Sequence, residues 1–201
     1  RCAAVVGDLV LVGGVASAGG ASDLVALDLA SGERRFAVRL GGVFAAPIAA
    51  GPWLVAASSH SLALLAPEVG RARIVWRVDF PRGSDGLPGG PARARPALLG
   101  DRVGGGAADG RLHAFALADG HRLWSVELPR RLHAGAATDG GAVAVAVVAT
   151  RRLILALDAD GRERWRHEVA GDPAFAAPVI EGGVVYAATG TGGAVLALDA
   201  Q

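Results

Sequence analysis

The chain is poor in the residues that most often decide a function. Cysteine occurs once, at Cys2, so no disulfide can close within the chain and cysteine usage leaves the redox compartment open. Methionine is absent, no signal-peptide pattern opens the sequence, and Arg1 stands where a lipoprotein cleavage site would want small, apolar residues. Lysine is absent too: the 20 basic residues are all Arg, and 19 acidic residues leave a net charge of +1. That balance gives no electrostatic footprint for nucleic acid or an anionic membrane. Aromatic residues make up only 5% of a chain that is 52% hydrophobic, so Ala, Val and Leu must supply the core.

The longest stretch without Asp, Glu or Arg runs from Leu40 to Pro67, long enough to cross a bilayer as a helix. Pro47, Gly51 and Pro52 interrupt it, as does the polar run "SSHS" beginning at Ser58. It also falls into a repeat, and strands are expected there instead of a membrane helix.

The repeat is the main positive signal. "LVALDLASGERRF", "LHAFALADGHRLW" and "LILALDADGRERW" end at Phe36, Trp124 and Trp165, and "VLALDA" ends at Ala200. Anchored on Ala26, Ala63, Ala114, Ala156 and Ala197, five copies are spaced 37, 51, 42 and 41 residues apart. That is the size of a four-stranded propeller blade. A second column aligns Cys2, Ala45, Ala94, Ala134 and Ala176, small residues suited to a crowded inner strand. Within one copy, short apolar runs alternate with Gly-containing turns, and Asp-Gly or Ser-Gly precedes a strand that carries Trp or Phe. No helical stripe of apolar residues competes.

The pattern A-x-D-x-x-x-G-x-x-x-W resembles the tryptophan-docking motif of quinoprotein (pyrroloquinoline quinone)-like β-propeller repeats. "ALDLASGERRF" carries it with Phe36 for Trp, and "AFALADGHRLW" has Ala116 in place of Asp. "ALDADGRERW" has Asp158 and Trp165 with one residue fewer, and copy two lacks the Asp and connects at greater length to Trp76. The resemblance spans the chain. It implies an all-β propeller of four-stranded blades, with units at about 1–42, 43–90, 91–131, 132–171 and 172–201. The fifth unit stops before a Trp-bearing strand, so an incomplete arc of a larger ring is expected, with open blade edges through which the chain could self-associate.

Each candidate residue has a plain reading beside the sharp one. Phe36, Trp76, Trp124 and Trp165 could stack a ligand, but an aromatic recurring in register is expected to pack between blades. Trp53, off that column, reads as a core substitution. Asp28, Asp158 and Asp199 could be catalytic carboxylates, but their recurrence in one turn points to hairpin formers that accept backbone N–H bonds. His60, His113, His121, His133 and His167 form no metal-ligand pair, and His113 stands where packing is expected. Arg162, Arg164 and Arg166 alternate along a strand opposite Trp165 and are a candidate interaction face, or a solvated outer strand. The Gly-rich stretches match no phosphate loop.

Dehydrogenases with this repeat hold their quinone with a calcium-binding Glu/Asn/Asp set and often a vicinal disulfide. The chain has no Asn and no second Cys, so no cofactor, metal or catalytic residue is assigned. The reading is a non-catalytic scaffold for protein–protein interaction or ligand sensing, with another protein as partner and neither nucleic acid nor a transmembrane segment. The resemblance favours the cell envelope, periplasmic or extracellular. The alternative is a fragment of a quinone-dependent dehydrogenase whose cofactor site lies outside this chain.

Overall fold

The computed structural model describes residues 2–16, 22–41, 45–58, 61–80, 95–106, 110–128, 137–138, 144–148, 153–169, 178–188 and 193–200. These residues are all-β. Nineteen strands form five antiparallel sheets, each a meander of consecutive strands. No helix among the described residues is long and apolar enough to cross a membrane, and Leu40 to Pro67 holds strands.

Two compact units divide the chain, residues 1–96 and 97–201. In the first unit, sheet one is β1 (Cys2–Val6), β2 (Leu9–Ala16), β3 (Ser22–Asp28) and β4 (Arg34–Arg39). Sheet two is β5 (Ile48–Ala50), β6 (Trp53–Ala57), β7 (Ser61–Glu68) and β8 (Arg71–Asp79). Alternation along β3 and β4 puts Leu24, Ala26 and Phe36 on one side, where they join Leu54, Ala56, Ala63 and Leu65 of the next sheet in one buried core.

In the second unit, sheet three is β9 (Ala97–Leu99), β10 (Arg102–Gly106), β11 (Arg111–Ala116) and β12 (Arg122–Glu127). Sheet four is β13 (Ala137–Thr138), β14 (Ala144–Val148), β15 (Leu153–Leu157) and β16 (Glu163–Glu168). Sheet five has three strands, β17 (Val179–Glu181), β18 (Val184–Ala188) and β19 (Val195–Asp199). Leu112, Trp124 and Val126 of sheet three pack on Leu155 and Leu157 of sheet four. The other side of sheet four, with Ile154, Ala156 and Trp165, packs on Ile180, Val185, Ala187, Leu196 and Leu198 of sheet five.

One transverse row recurs with the same register. It reads Ala4, Leu11, Ala26, Phe36 in sheet one and Ile48, Val55, Leu64, Trp76 in sheet two. It continues as Ala97, Gly104, Ala114, Trp124 and then Ala137, Val145, Ala156, Trp165. In each of these four sheets a β-bulge follows the aromatic pair, between Ala26 and Leu27, Leu64 and Leu65, Ala114 and Phe115, or Ala156 and Leu157. The extra residue tightens the local twist where the hairpin leaves the sheet. The row corrects one alignment: Leu64, not Ala63, takes the anchor place in copy two, because Trp76 pairs with Leu64. The longer connection expected there is longer strand, since pairing runs on to Glu68 and Arg71 and leaves Val69 and Gly70 as the turn.

Candidate functional site

The repeat places its polar and aromatic signature residues around the hairpin between the third and fourth strands of the four-stranded sheets. In the first, Asp28 Oδ1 accepts the N–H groups of Ala30 at 3.0 Å and Ser31 at 2.8 Å, and the Ser31 hydroxyl at 3.1 Å. The Ser31 backbone bond, with the hydroxyl next, holds the Asp28 carboxyl below the usual carboxylate range. Arg35 Nε lies 3.2 Å from the other carboxylate oxygen. In the fourth sheet, Asp158 Oδ1 accepts from Asp160 N at 2.9 Å and Arg162 N at 2.8 Å. In the third, Ala116 cannot do this. There Asp119 accepts the His121 N–H at 2.9 Å, a substitute the repeat pattern did not single out. Asp199 ends β19 opposite Val184.

Phe36 and Trp76 are buried; Trp124 and Trp165 are half-buried. Trp124 shows what the column does at one joint. Its indole Nε1–H donates to the Ala159 carbonyl, in the fourth hairpin, at 2.7 Å. The ring lies against Gly161, where an added Cβ would fall 2.7 Å from Trp124 Cδ2. Gly161 also has φ +80°, so this position favours glycine twice over. Arg102 Nη1 donates to the same Ala159 carbonyl and, at 2.9 Å, to Asp160 Oδ1. That bond from Arg102 holds the Asp160 carboxyl below its usual range. Trp124, Arg102, Asp158, Asp160 and Gly161 thus form one joint between the third and fourth sheets. Arg102 carried no sequence signal, because nothing in its local pattern marks it as reaching another repeat.

The arginine group is arranged differently from a bare basic row. Arg162, Arg164 and Arg166 are all exposed. Arg162 lies in the turn, 3.3 Å from Asp160. Arg164 is the residue skipped by the bulge. Arg166 binds Glu163 through two contacts, Nε to Oε1 at 2.6 Å and Nη2 to Oε2 at 2.5 Å, which hold the Glu163 carboxyl below its usual range. The bulge at Arg164 breaks the strict alternation expected of the three arginines, and Asp160 and Glu163 answer the charge of Arg162 and Arg166.

The structure corrects the reading of Trp53. It opens β6 at the rim, after the Gly51–Pro52 turn, and is 38% exposed, not a core substitution. His113 is buried, 6.1 Å from the Phe115 ring centre. His60 and His133, with Ala94, Ala134 and Ala176 of the small-residue column, lie outside the described residues. Among the described residues no three His, Cys, Asp or Glu side chains gather as a metal site would require. With no Asn in the sequence, the residues present do not fit the calcium–quinone group of the dehydrogenases.

Comparison with known proteins agrees with this architecture. The sequence model of the family described as outer membrane protein assembly factor BamB matches residues 108–201. BamB of Bordetella pertussis (strain Tohama I) is 33% identical over 95 residues, which cover 47% of this chain and 24% of that protein. BamB of Burkholderia pseudomallei (strain K96243) is 30% identical over 113 residues, covering 56% and 29%. The matched part therefore spans less than a third of either relative's length. The crystal structure of BamB from Moraxella catarrhalis superposes on 96% of this chain and 55% of its own, with a TM-score of 0.69 at 23% identity. With the recurring row, the bulges and the docked tryptophan, these likenesses make the chain a β-propeller protein built of quinoprotein-like repeats.

Proposed function

We propose that the chain is a non-catalytic propeller scaffold that holds other proteins in the cell envelope and serves outer-membrane protein assembly. The observation that carries this reading is the match of residues 108–201 to the family model described by that role, with the likeness of about half of the chain to proteins named for it. The hairpin chemistry supports it. The carboxylates of Asp28, Asp158 and Asp160 are engaged by backbone N–H groups or by arginine, which suits a rigid frame better than proton transfer. In this reading the five repeat units are the blades. Phe36, Trp76, Trp124 and Trp165 lock neighbouring blades, and the turn aspartates Asp28, Asp158 and Asp199 shape the hairpins that receive them. Loops and open edges of the rigid frame carry recognition. The periplasmic face of the outer membrane is the compartment that goes with it.

The test is depletion of the parent protein in its own cells. The amount of folded β-barrel protein in the outer membrane should fall and should recover on re-expression. Unchanged barrel content, together with dye reduction by the purified parent protein supplied with pyrroloquinoline quinone, calcium and an alcohol, would replace the scaffold with the dehydrogenase reading.

A further inference from the structure

The hairpin between the third and fourth strands of sheet two breaks a rule that the other three hairpins keep. Those turns are built on aspartate: Asp28 in the first, Asp119 in the third and Asp158 in the fourth. The second has no aspartate, and its strands run on past the rest of their sheet. β7 and β8 pair through Ala66–Arg73, Pro67–Ala72 and Glu68–Arg71, whereas β6 pairs with β7 only as far as Leu54–Leu65. The result is a two-stranded ribbon with Val69 fully exposed at its tip. Where one copy of a repeat departs from the common pattern, that copy is the place to look for a function.

The ribbon is braced and basic. Both oxygens of Glu68 are taken, Oε2 by Arg71 Nε at 2.7 Å and Oε1 by Arg73 Nε at 3.1 Å. Two guanidinium groups thus share one carboxylate and leave a positive charge over. Their side chains stay 75% and 57% exposed, so their other N–H groups can serve an incoming acceptor. Strand register puts Ala66, Glu68, Arg71 and Arg73 on one side of the ribbon. Trp53, one step beyond the Leu54–Leu65 pair, lies level with Ala66 on that side and is partly exposed. Ala66 is a low floor between the indole and Arg73. Ring, floor and donors stand on a frame already fixed by the Glu68 clamp, so little freedom is lost on binding. Trp and Arg are also the side chains most often found carrying binding energy.

We propose that this side of the β7–β8 ribbon is a docking surface for an extended acidic segment of a partner protein, with carboxylates at alternate positions for Arg71 and Arg73 and an aromatic residue for Trp53. The excess positive charge selects acid. Alternate residues on a strand stand about 7 Å apart, as do those of an extended segment, so two carboxylates can meet both arginines at once. Trp53 lies two strands from Arg73, about 10 Å, or roughly three residues of extended chain. That matched spacing belongs to a polypeptide; lipid headgroups carry no such register. The surface deepens the scaffold reading and rests on it for its purpose. Its test uses the chain alone, so its failure leaves the envelope-assembly reading untouched.

The probe is the peptide SDADAAFS, with SKAKAAFS and SDADAAAS as its charge-swapped and ring-less counterparts. Titrated into the 201-residue chain, SDADAAFS should shift the Trp53 indole N–H signal saturably and leave that of Trp124 in place. Trp53→Phe identifies the signal by its loss. SDADAAFS should bind roughly tenfold or more tighter than either counterpart. Arg71→Gln combined with Arg73→Gln should weaken it by roughly the same factor and leave the melting temperature unchanged, since both positions are exposed. No saturable shift, equal affinity for the charge-swapped peptide, or a shift that survives the double arginine change overturns the proposal. So does adsorption to phosphatidylglycerol vesicles through Arg71 and Arg73 with no response to SDADAAFS, which would give the surface to a lipid headgroup.

Discussion

The Phe36 joint in the first unit and the Trp124 joint in the second occupy the same place in the repeat but are built differently. Phe36 enters a wholly apolar core with Leu54, Ala56, Ala63 and Leu65. The hairpin of the sheet it meets, β7 to β8, has no turn aspartate and closes through Val69 and Gly70. Trp124 instead meets a hairpin shaped by Asp158, with Gly161 flat beneath the ring and Ala159 O turned toward its N–H. The aromatic and the receiving hairpin therefore match as a pair. A hairpin that offers a carbonyl receives the ring with a donor, and one that runs on as strand receives the ring without one. The motif is a relation between neighbouring repeats, although it is written within each repeat separately.

Removing either ring tests that relation at its largest scale. Phe36→Ala should cost about 3–5 kcal/mol, the usual loss for a buried Phe reduced to Ala, read as a shift of the urea midpoint of the first unit. A cost under about 1 kcal/mol would mean the ring does not hold the two sheets together. Gly161→Ala comes next. Left-handed backbone alone costs a non-glycine residue about 1–2 kcal/mol, and here the new Cβ also displaces the Trp124 ring. Gly32, at φ +72° in the first hairpin, has open space where its Cβ would go. Gly32→Ala should therefore show the backbone cost only. Equal losses at the two glycines would break the claim that Gly161 is a seat for the indole.

Trp124→Phe sharpens the comparison by turning the second joint into a copy of the first. The ring contact stays and the bond to Ala159 goes, a change of about 0.5–1.5 kcal/mol in thermal or urea unfolding. Arg102 still donates to that carbonyl, so it is not left without a partner. The reverse change, Phe36→Trp, should gain nothing, because its hairpin has no turn built to present an acceptor. A gain there would mean that ring identity and hairpin type are independent.

Much of the fold was legible because a repeat makes its errors visible. Strand count, the hairpin turns and the aromatic column all follow from period-2 alternation and from Gly, Asp and Ser at turns. Copy two was misaligned by one residue because "LALLA" is apolar throughout. A continuous apolar run carries no phase, and only pairing of Leu64 with Trp76 sets it. Trp53 was misread for a related reason: column position gives the strand but not how near its end is to solvent. Arg102 and Asp119 were missed because their roles depend on a partner in another repeat, or on Ala116 having vacated the usual place. Asp28 and Asp158 were legible as turn formers because an Asx turn is a local device, complete within four or five residues.

The smallest expected effect separates a carboxylate held by its own turn from one held by a neighbouring sheet. Asp28 and Asp160 both have carboxyls held below the usual range, by the Ser31 backbone N–H in the first case and by Arg102 in the second. A carboxyl whose pKa is lowered by folding contributes stability that is present above its unfolded value. That contribution is lost as pH falls through the lowered folded value. Stability should therefore fall as pH drops below about 4, and Asp28→Asn and Asp160→Asn should each start lower at pH 7 and lose less on acidification. Both changes are small, because Asp160 is exposed and Asp28 is only half-buried. Salt tells them apart. The Asp160–Arg102 pair is ionic at both ends and is screened, so the Asp160→Asn difference should shrink between about 0.05 and 1 M salt, a range over which the Debye length falls to about 3 Å. The Asp28 contribution runs mainly through backbone N–H groups and should persist. If the acid limbs of both variants respond alike to salt, the two turns are held by the same kind of interaction, and the contrast between a self-contained hairpin and a docked one fails at this level.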